Sequence, residues 1–137
     1  MNKQERNEKG FTMVELIIVV AIMGIIGALL VPAFSTMSAK ARLTTDISTV
    51  KTLKRTADVY KAEQGAFPNA TNLADMNSIL INSNYLNANA VLQTKGDIVV
   101  NSASETIKLS LTNTAKTGEY SGAIHQLDTS TQADWIN

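Results

Sequence analysis

The 137 residues include no cysteine and a single histidine, and 12 Lys and Arg are matched by 12 Asp and Glu. Without cysteine there is no disulfide framework, no Cys-ligated zinc site, no iron–sulfur cluster and no thiol nucleophile. One histidine, His125, argues against a His-based metal centre or catalytic triad. A formal net charge of zero argues against a dedicated nucleic-acid binder, because neutralising phosphates needs a basic surplus. Aromatic residues make up 5% of the chain, too few to form a conducting stack. No Ser/His/Asp, metal or phosphate-loop constellation is present, and these absences together point away from an enzyme.

What is present is unevenly spread. The mean hydropathy is +0.01, yet from Leu16 to Ala39 not one side chain is charged. The stretch from Phe11 to Phe34 reads FTMVELIIVVAIMGIIGALLVPAF. As a helix it would extend roughly 36 Å, enough to cross a hydrocarbon core of about 30 Å. The Leu, Ile and Val residues between Leu16 and Val31 together favour insertion by roughly 3–7 kcal/mol. Lys3, Arg6 and Lys9 form a positive flank, diluted by Glu5 and Glu8, that orients the N-terminus inward. The expectation is a single span with the N-terminus in the cytoplasm and the remainder outside.

Glu15 does not fit a plain anchor. An acidic group costs on the order of 3 kcal/mol at the bilayer centre and less near its edge. It is either an interfacial carboxylate tolerated at the membrane surface or a group that needs a cation. Nothing cationic lies in the apolar run, so the cation would come from a neighbouring chain or a newly made N-terminus. A different processing site is also on offer: Ala39-Lys40-Ala41 has the A-x-A form of a secretory signal, with cleavage after Ala41. Against it, the apolar stretch is longer than such signals use, and Glu15 interrupts its start.

Lys9-Gly10-Phe11-Thr12-Met13-Val14-Glu15-Leu16, followed by the aliphatic run, resembles the class III leader of type IV prepilins. Gly10, Phe11 and Glu15 fill the three slots of that motif. The resemblance implies cleavage between Gly10 and Phe11 by prepilin peptidase and N-methylation of Phe11. It further implies attraction of Glu15 to the Phe11 amine of an adjacent subunit during assembly. Such a pair stabilises in low dielectric only when both members are present, so it selects register. Gly24 and Pro32 also match positions where pilins carry a glycine and a proline, and the resemblance implies a weak, extensible segment between them. From residue chemistry alone, Gly24, Gly27 and Pro32 are equally common membrane-helix usage, although each disfavours helix.

Beyond Pro32 the pattern becomes amphipathic. Leu43, Ile47, Val50, Leu53, Ala57 and Tyr60 define one stripe at helical spacing. Lys40, Arg42, Asp46, Lys51, Lys54, Arg55, Asp58, Lys61 and Glu63 are placed on the other faces, with Arg42–Asp46 and Lys54–Asp58 as i,i+4 pairs. The Lys51–Lys54–Arg55 cluster reads as a solvated face rather than a contact for DNA or acidic lipid. Gly65 and Pro68 are expected to stop the helix, and the segment Tyr60–Pro68 also resembles the helix-end signature of pilins and pseudopilins. As one helix, residues 11–64 would measure roughly 80 Å.

After Pro68 the chain is rich in Asn, Ser and Thr. Asn72 and Asp75 form an N-cap arrangement for a short helix carrying Leu73, Met76, Leu80 and Ile81. Lys95-Gly96-Asp97 reads as a turn, Ile98–Asn101 and Thr106–Thr112 as strands, Asn113–Gly118 as a turn and Tyr120–Leu127, which contains His125, as a third strand. The expected architecture is α+β: a long N-terminal helix, kinked at Pro32, whose C-terminal half packs on a small antiparallel sheet of about three strands. The domain plan is a leader at 1–10, a membrane or filament-core half of the helix at 11–35, an amphipathic half at 36–64 and a head at 65–137. Asp128 and Asp134 are too few for a calcium cage, so neither a metal nor a cofactor is expected. The Asn69-Ala70-Thr71 sequon arises readily by chance.

The resemblance implies a structural subunit that polymerises with its own copies into a type IV pilus for adhesion, motility or biofilm. Implied partners are prepilin peptidase, an assembly platform with its ATPase, and the cytoplasmic membrane before assembly at the cell surface. A pseudopilin of a type II secretion or competence machine is the alternative.

Overall fold

A computed structural model describes residues 10–137. The longest element, α1, runs from Met13 to Gln64, a helix of 52 residues. The chain forms two compact units, one ending at Ser35 and one from Thr36 to Asn137.

In the first unit α1 is bare. Val14, Leu16, Ile17, Ile25, Leu29 and Val31 are all exposed, and no part of the most apolar window is buried. The helix is assigned without interruption through Gly24, Gly27 and the backbone of Pro32. By length and composition it can cross a membrane.

In the second unit the expected stripe becomes the core. Leu43, Ile47, Val50, Leu53 and Ala57 are buried, joined by Ala39 one turn earlier, and Tyr60 packs at the margin. The helix ends where Gly65 turns to a φ of +80°, with its N–H donating to the Lys61 carbonyl at 2.8 Å. That conformation strains any side-chain-bearing residue, hence glycine. Helix α2 (Leu73–Asn82) starts as the Asn72 and Asp75 spacing requires: the Asn72 side chain accepts the Asp75 N–H at 2.9 Å. Met76 and Leu80 are buried beneath it.

Strands β1 (Asp97–Asn101) and β2 (Thr106–Ser110) pair antiparallel, Val99 opposite Lys108. Ile98, Ile107 and Leu109 point into the core, and Leu111 continues the alternation beyond β2. The expected third strand is not there: Tyr120–Leu127 contains helix α4 (Ser121–His125), preceded by α3 (Asn113–Thr117) where a turn is expected. The reason is periodicity. Tyr120, Ala123, Ile124 and Leu127 recur at steps of three and four, and Tyr120 and Ala123 are buried with Ile124 and Leu127 packed against the core. His125 is therefore an exposed residue at the end of a short helix. Helix α5 (Thr129–Trp135) follows, and Ile136 forms a parallel bridge to Leu109, so the second edge of β2 is met by a single residue pair.

A second correction concerns charge. Asp46 does not pair with Arg42. It is fully buried, and Arg42 instead meets Glu119 at 3.4 Å. Asp46 lies between Leu43 and Val50 on the buried stripe, so its position on the helix overrides its polarity. Lys54 and Asp58 do pair, and Lys54 and Lys51 also lie over the rings of Phe67 and Trp135, at 5.5 and 5.2 Å.

Candidate assembly site at the start of the apolar helix

The first turn of an α-helix leaves backbone N–H groups without partners inside the helix. At the start of α1, Thr12 and Glu15 meet that need reciprocally. The Glu15 N–H donates to Thr12 Oγ1 at 3.2 Å, while the Thr12 N–H and hydroxyl donate to Glu15 Oε2 at 2.8 and 3.0 Å. This is a capping box, and it places a carboxylate at the positive end of the helix dipole. Both recorded donors fall on Oε2, so among the described residues Oε1 is left for a further donor. The carboxylate is exposed, and Phe11 beside it is 91% exposed.

Gly10 and Phe11 precede the helix as irregular backbone, and a Cβ at Gly10 would meet nothing within 4 Å. A Cβ at Gly24 or Gly27 would likewise meet nothing. No contact within one chain therefore demands glycine at these positions. Gly10, Phe11 and Glu15 are brought together at one helix end. Gly24 and Pro32 are not, since they lie roughly 13 and 25 Å further along at 1.5 Å per residue. Lys3, Arg6 and Lys9 lie outside the described residues.

Residues 6–31 match the family described as the prokaryotic N-terminal methylation motif. Over 65 residues the chain is 35% identical to type II secretion system core protein G of Pseudomonas aeruginosa, a match covering 47% of this chain and 46% of that protein. The N-terminal part of the chain is thus similar to that of pilins and of a type II secretion core protein. Also similar is fimbrial protein EcpC of Eikenella corrodens, 32% identical over 81 residues, covering 59% of this chain and 52% of the relative. Type IV major pilin protein PilE1 of Neisseria gonorrhoeae is 36% identical over 61 residues, covering 44% and 37%. The chain thus matches about half the length, or less, of these relatives. No solved structure matches.

Two residues of consequence are not singled out from the sequence. Thr12 is legible in retrospect, because Thr12-x-x-Glu15 is the capping-box spacing. Asp46 is signalled by its place among the apolar positions of α1. Elsewhere, Asp128 caps α5: its carboxylate accepts the Thr131 N–H and hydroxyl at 2.8 and 2.7 Å and pairs with Ser130. Those bonds, Ser130's first, hold Asp128 well below the usual carboxylate range. Among the described residues no group of three or more His, Cys, Asp or Glu could hold a metal.

Proposed function

We propose that this chain is a prepilin: prepilin peptidase cuts it between Gly10 and Phe11, Phe11 is N-methylated, and the product polymerises into a type IV pilus. The observation that carries the reading is Glu15 at the head of a helix whose apolar first part is bare, within a segment matching the methylation motif. An exposed apolar helix is stable in lipid or against copies of itself, and polymerisation exchanges the first cover for the second. Cutting before Phe11 turns an amide nitrogen into an amine within one helical turn of Glu15. In the low dielectric among packed helices, an amine and a carboxylate from neighbouring copies stabilise only the register that joins them.

Before assembly the apolar segment of residues 11–35 resides in the cytoplasmic membrane, with the cationic N-terminal flank on the cytoplasmic side. Assembly draws the subunit out through a platform driven by an ATPase, and the head of residues 65–137 forms the filament exterior. The chain acts as a structural subunit rather than as an enzyme. Gly24 and Pro32 are positions where the helix is weakest, supporting a local extension as subunits move from bilayer to filament.

A second reading is favoured by the likeness to core protein G: a pseudopilin building a short rod in a secretion machine. Deleting the gene decides between them. Loss of long surface filaments supports the pilus, whereas a secretion or DNA-uptake defect in cells that never bore filaments supports the rod. Glu15→Gln tests both, since each requires the carboxylate for polymerisation while cleavage before Phe11 continues.

A further inference from the structure

The segment from Leu86 to Gly96 crosses the second unit without helix or strand. Such a stretch must have its backbone polar groups met by something. Two buried polar side chains do this. Asn77, on α2, donates to the Ala90 carbonyl at 3.0 Å and accepts the Ala90 N–H at 3.1 Å. Asp46, on α1, accepts the Gln93 N–H on Oδ1 at 2.7 Å, and on Oδ2 the Thr94 N–H at 2.8 Å and hydroxyl at 2.5 Å. Both side chains read backbone, so the segment's shape depends little on its own outward residues. Asn87, Ala88, Asn89 and Val91 are exposed accordingly.

The ends are fixed differently. Tyr85, just ahead, donates to Glu63 at 2.6 Å and packs edge-on against Tyr60. At the far end a Cβ on Gly96 would stand 2.6 Å from the Ser110 carbonyl oxygen, so backbone meets backbone directly. Between these ends Leu92 is buried in the core, and a cleft of about 280 Å³ opens between Thr45, Ser48, Thr49 and Thr52 of α1 and Leu86 and Ala90 of the segment.

We propose that residues 86–96 form a hinged strap over α1, latched by the Asp46 carboxylate, which opens as a unit while α1 and the β1–β2 ladder stay folded. A single carboxylate that accepts from three donors of the strap is a concentrated fastening. Removing it frees both amides and the hydroxyl at once. The strap joins the outer surface of the head to the middle of α1, so its state sets how much of Leu92 and the cleft is presented to neighbours. This inference concerns the fold of the second unit and holds whether or not the chain polymerises.

Amide hydrogen exchange on the full chain in detergent micelles tests it. Asp46→Asn keeps the shape and one acceptor but turns a donor toward the Thr94 N–H. The expected result is at least tenfold faster exchange at Ala90, Gln93 and Thr94, with a clearly smaller increase in β1, β2 and the buried turns of α1. Thr94→Val, which removes a single donor and keeps both amide bonds, should give a smaller increase confined to the same residues. Unchanged strap rates in Asp46→Asn, or equal acceleration across the ladder and α1 in either variant, would overturn the latch.

Discussion

Glu15 and Asp46 are both carboxylates on α1, and position makes them opposites. Glu15 is exposed and bonded to its own Thr12, whereas Asp46 is sealed among apolar side chains and bonded to a distant loop. Thr12→Ala should fray the first turn of α1, costing about 1 kcal/mol as other N-cap truncations do. Faster exchange at Glu15 and Leu16 with the rest of α1 unaffected is the expected sign, and Thr12→Ser should restore protection. Asp46→Ala leaves three donors unmet inside the second unit and should cost on the order of 3 kcal/mol. Asp58→Ala, which breaks a partly exposed pair with Lys54, should cost less than about 1 kcal/mol. Chemical denaturation followed by circular dichroism compares the two; equal losses would contradict the assignment of Asp46 to the core. Gly96→Ala forces a Cβ into the Ser110 carbonyl and should destabilise by about 1–3 kcal/mol. The sequence makes the Gly10-Phe11…Glu15 constellation plain because its meaning lies in linear spacing. Asp46 is harder to see, because its acceptors' partners at Gln93 and Thr94 are far along the chain and no local pattern announces them.

At the scale of elements, periodicity explains both what is legible and what is not. The stripe from Leu43 to Tyr60 is long enough to reveal its face, and Ile107, Leu109 and Leu111 alternate cleanly. The segment Tyr120–Leu127 is short, with a Gly and an Ala in its middle, and its apolar residues at positions one, four, five and eight are easily taken for a strand. Helix α5 depends on Asp128, whose carboxyl is lowered by Ser130 and Thr131. A lowered carboxylate stabilises above the ordinary carboxylate range, and that contribution is lost as pH falls through and below it. Acidification should therefore loosen α5, seen as faster exchange at Thr131. Asp128→Asn should blunt this pH dependence, and an α5 equally acid-sensitive in that variant would contradict the cap. Tyr85 behaves in the opposite sense. Its donation to Glu63 raises its pKa, so the tie between the end of α1 and the residues after α2 persists below the ordinary tyrosine range and is lost as pH climbs past it. Ultraviolet titration of Tyr85→Phe against the parent should remove a tyrosine that ionises above the ordinary range.

At the scale of the whole molecule, the first unit carries an apolar surface with no cover of its own, and the second buries a core around the amphipathic half of α1. A soluble monomer rarely exposes so continuous an apolar surface. The proposed life of the chain, first in a bilayer and then among its copies, supplies two covers in succession and gives Glu15 a reason to interrupt the apolar run. Intact-mass spectrometry of protein sheared from the cell surface tests this most directly. The prepilin reading predicts polymeric material whose subunit begins at Phe11 and carries one added methyl group. A surface polymer retaining Met1–Gly10, a subunit beginning at Arg42, or a chain that stays in the membrane fraction uncut would contradict it.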